Sequence, residues 1–356
     1  MPSPAMPASH SPSAPPTAAP PAAILPRHEP LAFQTRDGLV ESVHYGSLIA
    51  TAPDGRTLLS AGEPQAAFYP RSSLKPLQAV AMVRAGLDLP ADLLALTAAS
   101  HSGAPRHLDG ASRILELHGL TPAALENSSD LPYGAREREE WLRGGGRPTQ
   151  LAQNCSGKHA AMAATCVING WPVQGYLDPS HPLQRLVAET VTELTGEEPA
   201  GISTDGCGTP LFAHTLAGMA RAFGRLASAE LADGASAPES PEAAVAHSMR
   251  RHPEMVAGEG RDVTELMRLL PGALAKDGFE GVQLVGLPDG RAVAVKISDG
   301  GDRARMPVTV RALEALDVDT SALAGIATGA VLGGGRQVGL LQAADFSFLS
   351  PTDDVL

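Results

Sequence analysis

V40-E-S-V-H-Y-G-S-L-I-A-T, the turn P53-D-G-R, and T57-L-L-S-A read as two β-strands joined by a tight turn. β-Branched and apolar residues favour an extended, half-buried chain, and an Asp54-Gly55 pair between two such runs tolerates the positive φ of a hairpin. F33-Q-T-R supplies a further strand just upstream. Strand-like runs return only near the other end of the chain, at G281-V-Q-L-V-G-L, at A292-V-A-V-K-I-S after the turn at Asp289-Gly290, and at V338-G-L-L-Q. Between them the residues favour helix, from Pro76 to Ala85, Ala91 to Ala99 and Lys158 to Asn169, and over 183–195, 212–225, 241–251 and 261–269. Strands at both ends of a helical middle predict an α/β fold in which the N- and C-terminal segments share one antiparallel sheet sandwiched with helices.

A chain of 356 residues suffices for one large domain with a dry, preorganised interior. Residues 1–29, rich in Pro, Ala and Ser, bury too little apolar surface to offset their ordering entropy. They are expected to form a disordered tail ahead of a domain spanning 30–350. The segment 229–241 and G144-G-G-R-P read as surface loops. A net charge of −12 disfavours nucleic acid and anionic membranes as partners, since both need a cationic face, and leaves small molecules. The sequence has no apolar run of about eighteen residues and no secretory pattern, so a cytoplasmic location is expected. Cys155, Cys166 and Cys207 are the only cysteines, which argues against a disulfide scaffold.

Four segments carry residues able to do chemistry. R71-S-S-L-K-P places Ser72 and Lys75 three residues apart where a helix begins, so both side chains share a face and an amine can reach a hydroxyl. A lysine desolvated enough to lose its proton can act as base for a serine, and a helix N-terminus favours the negative charge that develops. An N-cap serine followed by a solvated lysine has the same spacing, and Ser73 is a second candidate hydroxyl. In T97-A-A-S-H-S-G, Ser100, His101 and Ser102 can hydrogen-bond a substrate or relay a proton. A helix end whose histidine satisfies the last carbonyls accounts for them equally. N154-C-S-G-K-H and S203-T-D-G-C-G bring forward Cys155, Lys158 and Cys207 as zinc ligands, against two ordinary reduced cysteines or a cysteine nucleophile aided by His159 or His101. Cys166 reads as core. In V293-A-V-K-I-S-D-G, Lys296 either points to solvent or supplies a second amine to a site.

In their order and spacing these segments, together with R251-H-P-E-M-V-A-G-E-G-R, resemble the bacterial asparaginase II family over residues 31–340. The resemblance implies a fold similar to penicillin-binding proteins and class A β-lactamases, and hydrolysis of L-asparagine to L-aspartate and ammonia. It implies one catalytic pair in Ser72 and Lys75, a second in Ser100 and Lys296, and a zinc site formed by Cys155, Lys158 and Cys207. Arg71, His101, Asp205 and Arg261 are the candidates, by charge and motif position, for holding the α-amino and α-carboxylate groups of the substrate. With lysine as base, the metal is left to orient these groups and is not required for the chemical step. A homodimer is the assembly the family suggests. The β-lactamase strings S-D-N and K-T-G meet only S-T-D-G and K-I-S-D-G, which disfavours β-lactam hydrolysis. Two other readings stand beside the asparaginase: another serine amidohydrolase or peptidase on the same scaffold, and a non-catalytic protein that binds metal or an amino acid. Only an enzyme has a use for two serine/lysine pairs.

Overall fold

The structure, a computed structural model, describes residues 25–229, 238 and 240–346. Most of the expected tail, most of the 229–241 loop and the last residues of the expected domain therefore lie outside the described residues. The chain runs through β1 (Glu29–Arg36), β2 (Leu39–Thr51), β3 (Thr57–Ala61) and β4 (Ala67–Phe68). It continues into α1 (Lys75–Arg84), α2 (Ala91–Thr97), α3 (Pro105–Leu117), α4 (Ala135–Arg143), α5 (Ser156–Ile168) and α6 (Pro182–Thr195). After β5 (Gly201–Thr204) and β6 (Pro210–Thr215) come α7 (Leu216–Ser228), α8 (Pro241–Arg251), α9 (Pro253–Val256) and α10 (Asp262–Leu269). The chain then forms β7 (Leu274–Gly278), β8 (Val282–Gly286), β9 (Ala292–Ile297), α11 (Arg305–Glu314), β10 (Gly329–Gly333) and β11 (Arg336–Ala343).

Eight strands form one antiparallel sheet in the order β10-β11-β1-β2-β9-β8-β7, with β3 added on β2. The two ends of the chain meet directly, since β1 pairs with β11 and β2 with β9. Every residue of β7 and β8 is buried, so at this end both faces of the sheet are covered. Helix α7 packs on β2, β8 and β9, and α11 on β8, β9 and β11. The α/β expectation of a terminal antiparallel sheet sandwiched with helices is met. Among the described residues no helix is long and apolar enough to cross a membrane.

One expected helix is shorter than its pattern. Residues 210–215 form β6, which pairs with β4 and β5 in a small second sheet. Pairing on both sides outweighs the helical reading of F212-A-H-T. Helix α7 starts only at Leu216, where the Thr215 side chain accepts from the Gly218 N–H and fixes the N-terminus.

Three chain segments are bent toward a common point. Residues 71–74 form a short 3-10 turn that leads into α1, and Arg71 opens it at φ 53°, a left-handed conformation rare for a residue with a side chain. After α2 the chain runs as a strap tied on both sides. Ser100 N–H and Ser102 N–H donate to the carbonyls of Val256 and Ala257, and His101 N–H donates to the carbonyl of Asn154. Helix α5 approaches α2 closely at Gly157, where an added Cβ would lie 2.5 Å from Leu96 Cγ and 2.6 Å from its carbonyl oxygen.

That approach yields a prediction. Gly157→Ala forces α5 away from α2, and overpacking of this kind costs about 1–3 kcal/mol. A denaturant titration should show that loss of stability, whereas a midpoint equal to wild type would contradict the close packing.

Candidate active site

The site forms where the 71–74 turn, the strap at Ser100 and the end of β7 converge. The Lys75 Nζ donates to Ser100 Oγ at 2.9 Å and to the Ala99 carbonyl at 2.6 Å. From the other side the Lys276 Nζ donates to the same Ser100 Oγ at 3.0 Å and to the Asp277 carbonyl at 2.8 Å. Lys276 also makes a short contact with the Asp277 carboxylate, whose other oxygen accepts from Arg261 Nη2 at 2.9 Å. The result is a continuous row from Arg261 through Asp277, Lys276 and Ser100 to Lys75. Both lysines and Ser100 are buried.

Ser72 stands beside this row. It lines a cleft of about 260 Å³ with Arg71, Tyr133, Asn154, Cys155, Asp205 and Phe279. It also lines a pocket of about 10 Å³ with Ser100, Tyr133, Asn154 and Asp277, which is room for one water. Ser72 and Ser100 thus face one small space, and that space adjoins the cleft through Ser72. The Ser73 hydroxyl is used locally, donating to the Pro70 carbonyl at 2.7 Å.

Burial dominates the electrostatics. It pulls Lys276 down to about 8, aided by the nearby Lys75 and opposed by Asp277, so near neutral pH a share of this amine can be unprotonated. Burial alone would raise Asp277, but Lys276, Arg261 and Arg305 together hold it well below the usual carboxylate range. Asp277 is therefore ionised and acts only as an acceptor.

Three residues read from sequence as site members are placed differently. Lys296 does not meet Ser100: its Nζ donates to the carbonyls of Glu280 and Ile297 at 2.6 and 2.7 Å. It lies on β9, inside the sheet order, whereas Lys276 lies on β7, the strand at the sheet's end that packs on the 71–74 turn. His101 is fully buried, shares a 2.9 Å hydrogen bond with Ser156 and stacks on His107 with centroids 5.0 Å apart. Burial, then His107 and Lys75, push its pKa far down. It anchors the strap to α5 as a neutral ring and does not line the cleft. Arg261 gives Nη2 to Asp277 and lies over the face of Tyr133, 4.8 Å from the ring centroid, while its buried Nη1 has no hydrogen-bond partner among the described residues.

Sequence reading missed Lys276 and Asp277. The available signal was the string K276-D-G, which keeps the first and last residues of K-T-G. Gly278 is needed there, since a Cβ would fall 2.4 Å from the Pro70 carbonyl. The other two substrate candidates do meet in the cleft, Arg71 Nε donating to Asp205 Oδ1 at 2.8 Å.

Cys155, Lys158 and Cys207 come together on the cleft's inner side. Lys158 Nζ lies 3.2 Å from Cys207 Sγ and 2.9 Å from Thr209 Oγ1. The neighbouring Cys155 and, against burial, the Lys158 ammonium draw the Cys207 thiol well down, and the nearby Cys207 together with burial pushes Cys155 up. Cys166 is a buried free thiol, raised to about 12 by burial, as its core placement predicts.

A family profile described as L-asparaginase II matches residues 32–343. No match was found among curated proteins. Among solved structures, the chain is similar to a β-lactamase from Mycobacterium bovis at 17% identity, covering 72% of this chain and 88% of that one with a TM-score of 0.37. It is also similar to EstCE1, a hydrolase with promiscuous acyltransferase activity, at 14% identity, covering 75% and 88% with a TM-score of 0.34. Likenesses this loose carry no weight for chemistry.

The row of charges makes a prediction with opposite signs. In protein labelled with 13C at lysine Cε, one resonance should titrate near pH 8 and be missing in Lys276→Met. Asp277→Asn removes an anion and should lower that midpoint. Arg261→Gln removes a cation and should raise it. General loosening of the site would move both variants the same way.

Proposed function

The chain belongs to the L-asparaginase II family, and we propose that it hydrolyses L-asparagine to L-aspartate and ammonia through Ser72, with Lys75, Ser100 and Lys276 as its proton-transfer apparatus. The family makes it an amidohydrolase. The observation that carries the reading is one serine hydroxyl held between two buried amines, in a small pocket that Ser72 shares with the open cleft.

In this mechanism the α-carboxylate of the substrate lies against Arg71 and its α-amino group against Asp205, which the cleft already holds as an ion pair. The side-chain amide then reaches Ser72. An unprotonated lysine takes the Ser72 proton, with Lys75 three residues along the turn and Ser100 passing protons between the two amines. The serine oxygen attacks the amide carbon, and the carbonyl oxygen takes up the negative charge as the tetrahedral intermediate forms. The protonated lysine row delivers a proton to the leaving nitrogen, ammonia departs, and the acyl-serine ester remains. Water, activated by the same row, hydrolyses the ester and restores Ser72. In the free protein the Lys75 amine is bonded to Ser100 and the Ala99 carbonyl, so in this mechanism its bond to Ser72 forms as substrate fills the cleft.

Cys155, Lys158 and Cys207 would hold a zinc ion through two thiols and an amine that lies 3.2 Å from Cys207 Sγ, although against burial Cys207, Cys155 and Asp205 hold that amine above its ordinary value. Among the described residues no three of His, Cys, Asp and Glu gather as a metal group, so Lys158 would have to bind as the neutral amine. The ion would supply positive charge beside the cleft, orienting the polar end of the substrate. The Lys75, Ser100 and Lys276 row does not depend on it.

Two predictions follow from these roles. Purified protein should release ammonia from L-asparagine, and Ser72→Ala, Lys75→Ala and Lys276→Met should each lose at least ~100-fold in kcat. Wild-type turnover with full activity in all three variants would sink the mechanism. No turnover from folded protein would sink the substrate. Because K276-D-G restores part of the β-lactamase signature, nitrocefin is the control substrate, and faster turnover of it than of asparagine would favour the acylating hydrolase instead. Elemental analysis should find zinc bound, and the Cys207→Ser variant should lose it.

A further inference from the structure

The catalytic cleft does not end at Arg71. A second groove of about 430 Å³ is lined by Tyr69, Arg71, Ser203, Thr204, Glu280 and Lys296. Arg71 borders both spaces, and two more segments contribute successive residues to each: Asp205 then Thr204, and Phe279 then Glu280. The two spaces are neighbours along three chain segments, separated by the Arg71–Asp205 ion pair.

Two features of the groove indicate what it takes. At its far side the Lys296 ammonium rests on two backbone carbonyls, with no carboxylate at ion-pair distance among the described residues. Burial draws the pKa of this amine down, against Glu280 and Asp299, so it would gain from an added anion. The other feature is β5, an edge strand of the small sheet whose Ile202, Ser203 and Thr204 are exposed. Such an edge presents unpaired backbone groups along which an extended peptide can lie.

Resting on the amidohydrolase reading above, we propose that the site also accepts an N-terminal asparagine in a short peptide, with the following residue in the Tyr69–Thr204 groove and its C-terminal carboxylate on Lys296. The α-amino group stays with Asp205. The α-carbonyl, now an amide, accepts a hydrogen bond from Arg71 in place of an ion pair. The chemistry is unchanged: asparaginyl-Xaa and water give aspartyl-Xaa and ammonia, with the peptide bond intact. Lys296 belongs to this extension and not to the serine–lysine row.

The test compares ammonia release from L-asparagine, from L-asparaginyl-L-alanine and from the C-terminal amide of that dipeptide, in wild type and Lys296→Gln. The proposal expects wild type to deamidate the dipeptide. Lys296→Gln should raise the dipeptide KM about tenfold, the scale of one partly exposed charge contact, while the kinetics of L-asparagine stay the same. The C-terminal amide should show the raised KM even in wild type. Turnover of L-asparagine with none of the dipeptide, or a dipeptide KM unmoved by both changes, overturns the proposal alone. Ammonia from none of the three compounds overturns the asparaginase reading and the proposal with it.

Discussion

Two lysine amines donating to one buried serine oxygen is the constraint on which the rest of this site depends. Ammonium groups within 3.0 Å of the same atom repel each other, and neither has bulk water to disperse its charge. The fold meets the conflict in two ways. Asp277, kept ionised by Arg261 and Arg305, offsets one positive charge. Burial together with Lys75 lowers the affinity of Lys276 for its proton. The row can therefore hold a proton and give it up near neutral pH, which is what a base that later acts as an acid requires.

Holding such a row demands rigidity from unrelated parts of the chain. Lys75 comes from the first turn of α1, Ser100 from the strap after α2, and Lys276 from the end strand β7. Each is fixed by contacts that do no chemistry. Gly278 lets β7 lie on the 71–74 turn, His101 ties the strap to Ser156, and Val256 and Ala257 hold the strap's other edge. This is why His101 belongs to the site's support even though it does not line the cleft. A neutral buried imidazole adds no charge to a neighbourhood that already contains two amines.

Six strands of the sheet, β1, β2, β3, β8, β9 and β11, were legible because they carry their own signals, whereas β7 and β10 were not read. Alternation and the Asp54-Gly55 and Asp289-Gly290 turns mark β2, β3, β8 and β9, and the pairing of the chain's two ends follows from where those signals fall. β6 was not legible, since P210-L-F-A-H-T is a strand only by virtue of its neighbours on both sides. Helices α3, α4 and α11 also went unread, lying in stretches where no motif drew attention, and so did the single turn of α9. In the site, Ser72, Lys75, Ser100 and the Cys155, Lys158 and Cys207 group were singled out because each sits in a compact motif, although the structure bonds Lys75 to Ser100 where the sequence pairs it with Ser72. The other partner of Ser100 was not, because the choice between Lys276 and Lys296 is made by strand order. Nothing in V293-A-V-K-I-S says that β9 lies inside the sheet, or in A273-L-A-K-D-G that β7 lies at its end.

The same strand order explains how one lysine can be catalytic and the other free for recognition. β7 packs directly on the 71–74 turn, so the side chain of Lys276 is enclosed and its amine is committed to Ser100 and Asp277. β9 is two strands away in the order, and Lys296 reaches the surface near Glu280, the second residue beyond the Gly278 that ends β7. The short connection from Gly278 to Glu280 thus spans the distance between chemistry and substrate extension. Phe279 lines the catalytic cleft, with Arg71 5.7 Å from its ring centroid, and the next residue lines the outer groove. Gly278 and Phe279 also border the pocket that Ser72 and Ser100 share, so of the three residues only Glu280 faces the outer groove without bordering that pocket.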